Sequence, residues 1–250
     1  MHRLLVAMAT LGMECAILTK DNATHLKVLR PKDGEKFELF DGRGSSRIYK
    51  WDGAAKRLMA TNGKTVKPSD PHALTLFACV TKGQRWDWTI QKATELGVSR
   101  IVPVVSGRTI VRIDAGERAT KRERWQRIAE EAARQSDAAW LPEIAEPLDF
   151  DAAVAEAART TCFVGALVEP PPQSLLAAAQ SAIAAGTTGE FSVFVGPEGD
   201  FAPQELAALL KVATPTNFGP TILRAETAAI YALCVVAAAL RTEENAQSKN

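Results

Sequence analysis

From residue 74 onward, short uninterrupted apolar runs alternate with longer stretches whose apolar residues recur at helical spacing. The runs 74–80, 100–105, 162–168 and 191–195 have the pattern of strands buried on both faces of a sheet. The stretches 85–96, 121–136, 175–184 and 203–210 read as helices. Gly97 stops the first of these, Trp125, Ile128 and Ala132 share one face of the second, and Pro203 opens the last. This alternation predicts an α/β domain with a mostly parallel sheet. The run 228–240 is apolar on nearly every side. It is too short for a bilayer, which needs about 20 residues, and reads as a helix that something must cover.

Ahead of residue 74 the rhythm differs. Residues 14–19 and 36–40 are short strand-like runs bounded by glycine and aspartate turns, with Asp41-Gly42 as a turn signal. Residues 22–30 form a short helical pattern, with Leu26 and Leu29 three apart and Pro31 as its stop. The expectation is a small β-barrel with one helical turn inserted. Residues 67–72 have the composition of a linker, dividing the chain into domains at 1–70 and 71–250. The polar tail 243–250 is expected to fray.

Composition refines this picture only in places. With 46% hydrophobic and 24% charged residues, 250 residues can bury a core. No cationic stretch followed by an apolar core and cleavage site opens the chain, so the expected location is cytoplasmic, with no membrane contact. The four cysteines (Cys15, Cys79, Cys162, Cys234) contain no CxxC pair, and His2, His25 and His72 share no ligand spacing, so no metal site is expected. Cys79, Cys162 and Cys234 lie in apolar segments and read as reduced core thiols. The net charge of +1 hides an asymmetry: residues 1–127 hold 24 Lys and Arg against 13 Asp and Glu, and residues 128–250 hold 6 against 16. A basic half suits a polyanion such as RNA, although the same charges could simply solvate helix faces.

Two turns carry the candidate chemistry. In Val193–Phe201 (VFVGPEGDF) an apolar strand ends in a glycine-containing turn, and ligands of open α/β sheets sit at the carboxyl ends of strands. In 218–228 (FGPTILRAETA) a similar turn ends in charged and hydroxyl residues just before the apolar helix. Either alone could be an ordinary turn. Competing motifs fail: residues 42–47 lack the third glycine of a dinucleotide fingerprint, and no Walker lysine motif or GxSxG elbow occurs. No histidine lies beyond residue 72, which weakens a Ser/His/Asp reading.

GPEGDF at 196–201 and ILRAETA at 222–228 resemble the signatures of the RsmE-type 16S ribosomal RNA (uracil-N3) methyltransferases of the SPOUT superfamily. The resemblance runs the length of the chain. Residues 25–30 with Leu39-Phe40-Asp41-Gly42 resemble a PUA-like RNA-binding domain, and residues 83–97, with Thr89-Ile90-Gln91-Lys92 and Glu95-Leu96-Gly97, resemble the first catalytic-domain helix. Three departures stand out. Asp200 replaces a second glycine after GPEG, Phe218 stands where leucine is usual, and Arg134-Gln135-Ser136-Asp137 replaces a common Glu-Gln-Ser/Cys-Gly-Arg.

The resemblance implies an N-terminal PUA-like β-barrel and a C-terminal SPOUT domain with a deep trefoil knot. It implies S-adenosyl-L-methionine as methyl donor, N3 of a 16S uridine (family position 1498) as acceptor, the small ribosomal subunit as partner, and a homodimer. Leu167, Val195, Gly196, Pro197, Gly199, Phe218, Gly219, Ile222 and Leu223 are then expected to form the donor site. Arg224 would stabilise charge on the uracil as its N3 proton leaves, and Glu226 would accept that proton or fix Arg224. A plain ion pair between Arg224 and Glu226 is the structural alternative. Arg30, Arg85, Gln91 and Lys92 are expected to contact RNA phosphates, a solvated helix face being the alternative. Two other functions compete: a SPOUT enzyme acting on transfer RNA, and a non-catalytic RNA-binding or ribosome-assembly protein of the same fold.

Overall fold

The computed structural model describes residues 1–67, 73–187 and 189–247. Most of the expected linker, 68–72, lies outside the described residues. The chain forms two compact units, Met1–Asp70 with Glu130–Leu141, and Pro71–Ala129 with Pro142–Asn250.

The first unit is built on a four-stranded sheet in the order β1 (His2–Leu5), β2 (Lys36–Phe40), β3 (Ser45–Asp52), β4 (Arg57–Val66). The β1/β2 pair is parallel and the others are antiparallel. Residues 14–19, expected as a strand, pair with the sheet at a single bridge, Cys15 to Met59, while Ala16 and Leu18 pack against its core. Neighbouring Met8–Gly12 coils into a 3-10 helix, and Tyr49 donates to the carbonyls of Thr10 and Met13, which holds that stretch out of the ladder. The expected helical turn is a full helix, α1 (Lys20–Leu29), capped by the Thr19 hydroxyl and ended by Arg30 in the left-handed region at φ 49°. Leu26 is buried with Leu4, Leu11, Phe37, Leu39, Tyr49 and Leu58.

Residues 130–141, assigned by sequence to the C-terminal domain, belong to this unit. Arg3 is the reason. Its guanidinium, almost wholly buried, donates to the carbonyls of Ala133 (2.7 Å) and Ala138 (3.1 Å), pairs with Glu38 (3.0 Å) and lies over the Phe40 ring. Backbone bonds from Gly44 to Ala139 and from Leu141 to Gly42 close the seam.

The second unit is a parallel sheet flanked by helices on both faces, as the alternating pattern predicts. Its strands are β5 (Leu74–Cys79), β6 (Arg100–Val105), β7 (Glu143–Ile144), β8 (Leu148–Asp149), β9 (Thr161–Gly165), β10 (Phe191–Val195) and β11 (Ala213–Thr216). The order is β11-β9-β10-β5-β6-β7, with β8 also on β6, and every pair is parallel. The central β5 and β10 are buried along their whole length.

Side chains alternate between the two faces. On one, Phe77, Val102, Val104 and Phe194 pack under α4 (Phe150–Ala157) and α6 (Pro203–Leu209). The other is covered by α5 (Leu175–Ala184) and by α7 (Ala225–Gln247), which packs on β5, β10, α5 and α2 (Gln84–Glu95). The stretch Ala225–Thr242 is apolar and long enough to cross a membrane by composition, but its inner face, including Ala229, Leu233 and Val236, is buried in this core. Helix α3 (Arg118–Gln135) precedes β7, and its Trp125 packs edge-on against Trp86. The tail expected to fray from residue 243 continues α7 through Gln247; residues 248–250 lie outside the described residues. Cys79 and Cys162 are buried, but Cys234 is exposed, because it falls on the outer face of α7.

Candidate functional site

Strands β9, β10 and β11 lie side by side, so their carboxyl ends open at one place. The chain leaves them as three irregular segments, and these wall a cavity of about 520 Å³. The first wall is Gly165–Pro172. The sequence extended a strand over 162–168, but β9 ends at Gly165 and Ala166–Val168 peel away as lining. The second is the turn after β10, and the third is 216–225, which runs into α7. Hydrogen bonds lace the first wall and its flanks to the third: Ala166 N donates to Thr216 O (3.2 Å), Asn217 N to Gln173 O (2.8 Å), Leu175 N to Asn217 O (3.1 Å), and buried Thr216 Oγ1 to Val164 O (3.1 Å).

The second wall is anchored from below. Phe201 inserts into the ring cluster of Phe150 and Phe194, with centroids 5.7 and 5.8 Å away. A Cβ on Gly196 would meet that ring at 3.0 Å, so the close approach requires glycine there. The turn closes with Asp200 N donating to Pro197 O, and Arg108 Nη1 donates to the carbonyls of Gly199 (2.9 Å) and Phe201 (3.3 Å). Glu205 ties this stretch to the loop after β6 by accepting from Gly107 N (2.7 Å) and Ala202 N (2.9 Å). Asp200 sits at φ 59°. Aspartate tolerates this left-handed conformation, so the position usually held by glycine is satisfied without one.

In the third wall Gly219 has φ 124°, a conformation side-chain-bearing residues rarely adopt, and its N–H donates to Asn217 Oδ1 (2.7 Å). Phe218 lies on Tyr231 of α7, and its ring fills the space a Cβ on Gly165 would need, 2.7 Å away. Leu167 and Ile222 present apolar side chains at the rim, 74% and 84% exposed.

Of the residues expected at the donor site, Leu167, Val195, Gly196, Pro197, Phe218, Gly219, Ile222 and Leu223 line this cavity, and so does Arg224. Gly199 does not; its carbonyl is held by Arg108, and it is not part of the lining. Sequence reasoning missed Glu169, Glu198, Thr216 and Asn217, which also line it. Glu198 lies within GPEGDF itself and Thr216 and Asn217 lie just ahead of FGPTILRAETA; Glu169 carried no such signal.

Arg224 is exposed and, among the described residues, has no ion-pair partner. The Arg224–Glu226 pair weighed from the sequence is not formed. Glu226, in the first turn of α7 and outside the lining, faces Arg85 instead: Oε1 lies 4.0 Å from Arg85 Nε, and Oε2 is buried without a hydrogen-bond partner. Arg85 Nη1 also donates to Glu198 Oε1 at 3.0 Å. Lys92 is paired with Glu95 (2.7 Å), while Gln91 and, in the first unit, Arg30 are exposed.

The chain is matched over residues 68–237 by the family model of an RNA methyltransferase domain and over residues 18–50 by that of an RNA methyltransferase PUA domain. It is 31% identical to the ribosomal RNA small subunit methyltransferase E of a Synechocystis species over 248 residues, covering 96% of this chain and 78% of the relative. It is 34% identical to the Bacillus subtilis protein of the same name over 168 residues, 66% of each chain. Among solved structures, the Neisseria gonorrhoeae ribosomal RNA small subunit methyltransferase E bound to S-adenosyl methionine superposes with a TM-score of 0.76 at 26% identity, covering 97% of this chain and 98% of the other. With both family models matched in the expected order, a PUA-like unit ahead of a parallel α/β unit, the chain belongs to the ribosomal RNA small subunit methyltransferase E family of RNA methyltransferases.

Proposed function

We propose that the protein transfers a methyl group from S-adenosyl-L-methionine to N3 of a uridine in 16S ribosomal RNA. The observation that carries this reading is the cavity at the ends of β9, β10 and β11, in a chain whose Neisseria gonorrhoeae relative is bound to S-adenosyl methionine. Its volume of about 520 Å³ suits a small-molecule ligand. Its apolar rim, Leu167 and Ile222, fits a purine ring, and residues 221–223, outside any helix or strand, can offer backbone groups to the polar edges. Gly219 keeps one approach free of side chains, while Gly196 lets the turn close onto the Phe201 ring.

When bound, S-adenosyl-L-methionine supplies an electrophilic methyl group, and the chain's task is to orient the acceptor in line with it. Uracil N3 must lose its proton before it can attack. Arg224, at the cavity wall with its charge unspent, stabilises the negative charge that spreads to the uracil carbonyls. Glu226 neither pairs with Arg224 nor lines the cavity, so we assign it to holding Arg85. The RNA is drawn to the basic half of the sequence.

The homodimer belongs to the same reading. Ile230, Tyr231, Cys234, Val235 and Ala238 form a stripe on α7 that is exposed or half-buried, and a second subunit would cover it; sedimentation of the full chain tests this. The enzymatic reading is tested by mass spectrometric mapping of methylated nucleosides in 16S RNA from cells with and without the protein. Loss of one N3-methyluridine with the gene is expected. Loss of a methylated nucleoside from transfer RNA instead would refute the ribosomal assignment.

A further inference from the structure

The carboxylates of Glu198 and Glu226 come from the two recognised turns, one after β10 and one at the start of α7, and both face the same guanidinium. Arg85 Nη1 donates to Glu198 Oε1 at 3.0 Å, and Nε lies 4.0 Å from Glu226 Oε1. Glu226 is the more demanding partner, since its side chain is 13% exposed and its Oε2 is buried with no hydrogen bond. A carboxylate held this far from water depends on the nearest cation.

The backbone behind Arg85 is firmly placed. Gly83, at φ 65°, turns the chain into α2; Trp86 is buried against Trp125; and Thr89 Oγ1 donates to the Arg85 carbonyl at 2.9 Å. A planar fork can address two carboxylates through different nitrogens, which a lysine ammonium does less well.

We infer that Arg85 is a positioning residue that clasps the Glu198 and Glu226 turns together, and that it is not a phosphate contact as the sequence suggested. The inference rests on the methyltransferase reading, since the clasped turns are two walls of its cavity. Without the clasp, two like charges face each other across the join and the walls separate. Small displacements of groups that orient reactants can cost about 10²-fold in rate.

The test uses the full chain with S-adenosyl-L-methionine and 16S-containing small-subunit RNA. Arg85→Ala should lower kcat at saturating RNA by roughly 10- to 100-fold and leave RNA affinity, and its slope against salt, within about twofold of wild type. Arg85→Lys should recover part of the loss. Glu198→Gln, which leaves the cation in place, should reproduce the kcat defect, and so keeps the inference testable if Arg85→Ala fails to fold. In a double-variant cycle, Arg85→Ala with Glu226→Gln should be no slower than Arg85→Ala alone.

Contrary outcomes are distinct. If Arg85 binds phosphate, Arg85→Ala weakens RNA binding, reduces the salt slope by about one unit and spares kcat, while Glu198→Gln tightens RNA binding. If raising the pH restores Glu226→Gln, Glu226 takes the N3 proton and the clasp assignment falls. A wild-type chain that transfers no methyl group refutes the proposed function itself, and this inference with it; an active wild type with an equally active Arg85→Ala refutes only the inference.

Discussion

Replacing Arg3 is the sharpest test of how the first unit is held together. The side chain is 4% exposed and donates to Glu38 at 3.0 Å and to the carbonyls of Ala133 and Ala138 at 2.7 and 3.1 Å, with its guanidinium 4.1 Å from the Phe40 ring centroid. Asp137, also within 3.4 Å, is 81% exposed and adds little. Arg3→Ala removes all of these at once and leaves the Glu38 carboxylate, 19% exposed, without its cation. Breaking a buried pair from one side costs about 3–5 kcal/mol, a large share of the roughly 5–15 kcal/mol that holds a domain folded. In urea, at about 1–3 kcal/mol per molar, the unfolding midpoint of this unit should fall by roughly 1–5 M. Amide exchange provides the local readout: β1, β2 and residues 130–141 should lose protection together, while β5 and β10 keep theirs. Arg3→Lys should recover only part, because an ammonium cannot reach two carbonyls and a carboxylate in one plane. Arg3→Met with Glu38→Met should be more stable than Arg3→Ala, since no charge is then stranded. A loss below about 1 kcal/mol for Arg3→Ala would show that the buried cation is not what recruits 130–141, and the account of this unit would fail.

Four further outcomes are expected. A fragment of residues 1–70 lacks the carbonyls of Ala133, Ala138 and Ala139, so its circular dichroism should show little cooperative folding; a sharp thermal transition would contradict this. Gly219→Val forces a β-branched residue to φ 124° and should abolish S-adenosyl-L-methionine binding by calorimetry while the rest of the chain stays folded. Arg224→Ala should bind the donor almost normally but methylate about 10²–10³-fold more slowly, and near wild-type turnover would remove Arg224 from the mechanism. Burial pushes the Cys79 and Cys162 thiols up to about 12, so at pH 8 a thiol reagent should label exposed Cys234 in the native protein and reach the other two only on unfolding. The same shift has a consequence for stability: the unfolded thiols ionise near pH 9 and the folded ones do not, so stability is held below pH 9 and falls between about pH 9 and 12.

The α/β unit was readable from the sequence because its signals are local. A strand buried on both faces is an unbroken apolar run, so 74–80, 100–105 and 191–195 were found within a residue of β5, β6 and β10. The same locality made the two turns visible, since the glycines and charged residues at strand ends stand out against the runs before them. Short elements escaped: β7, β8 and β11 span two to four residues, too few for any periodicity. Tertiary structure decided what depends on residues distant in sequence. Nothing near Glu226 announces Arg85, and nothing near Arg3 announces Ala133; each is a charge that found its partner only when the chain brought two segments together. Cys234 and Val236 look alike in an apolar run, yet one faces outward and the other inward, because the sheet covers only one side of α7. The departures Asp137 and Asp200, puzzling as letters, share one feature in the structure: they stand at φ 57° and 59°, a left-handed conformation that glycine adopts freely and aspartate also tolerates. Sequence by itself determined the long buried strands and most of the helices after residue 74, and the two glycine turns that wall the cavity. The fold decided which charges meet, because a buried charge takes whichever partner packing brings within reach.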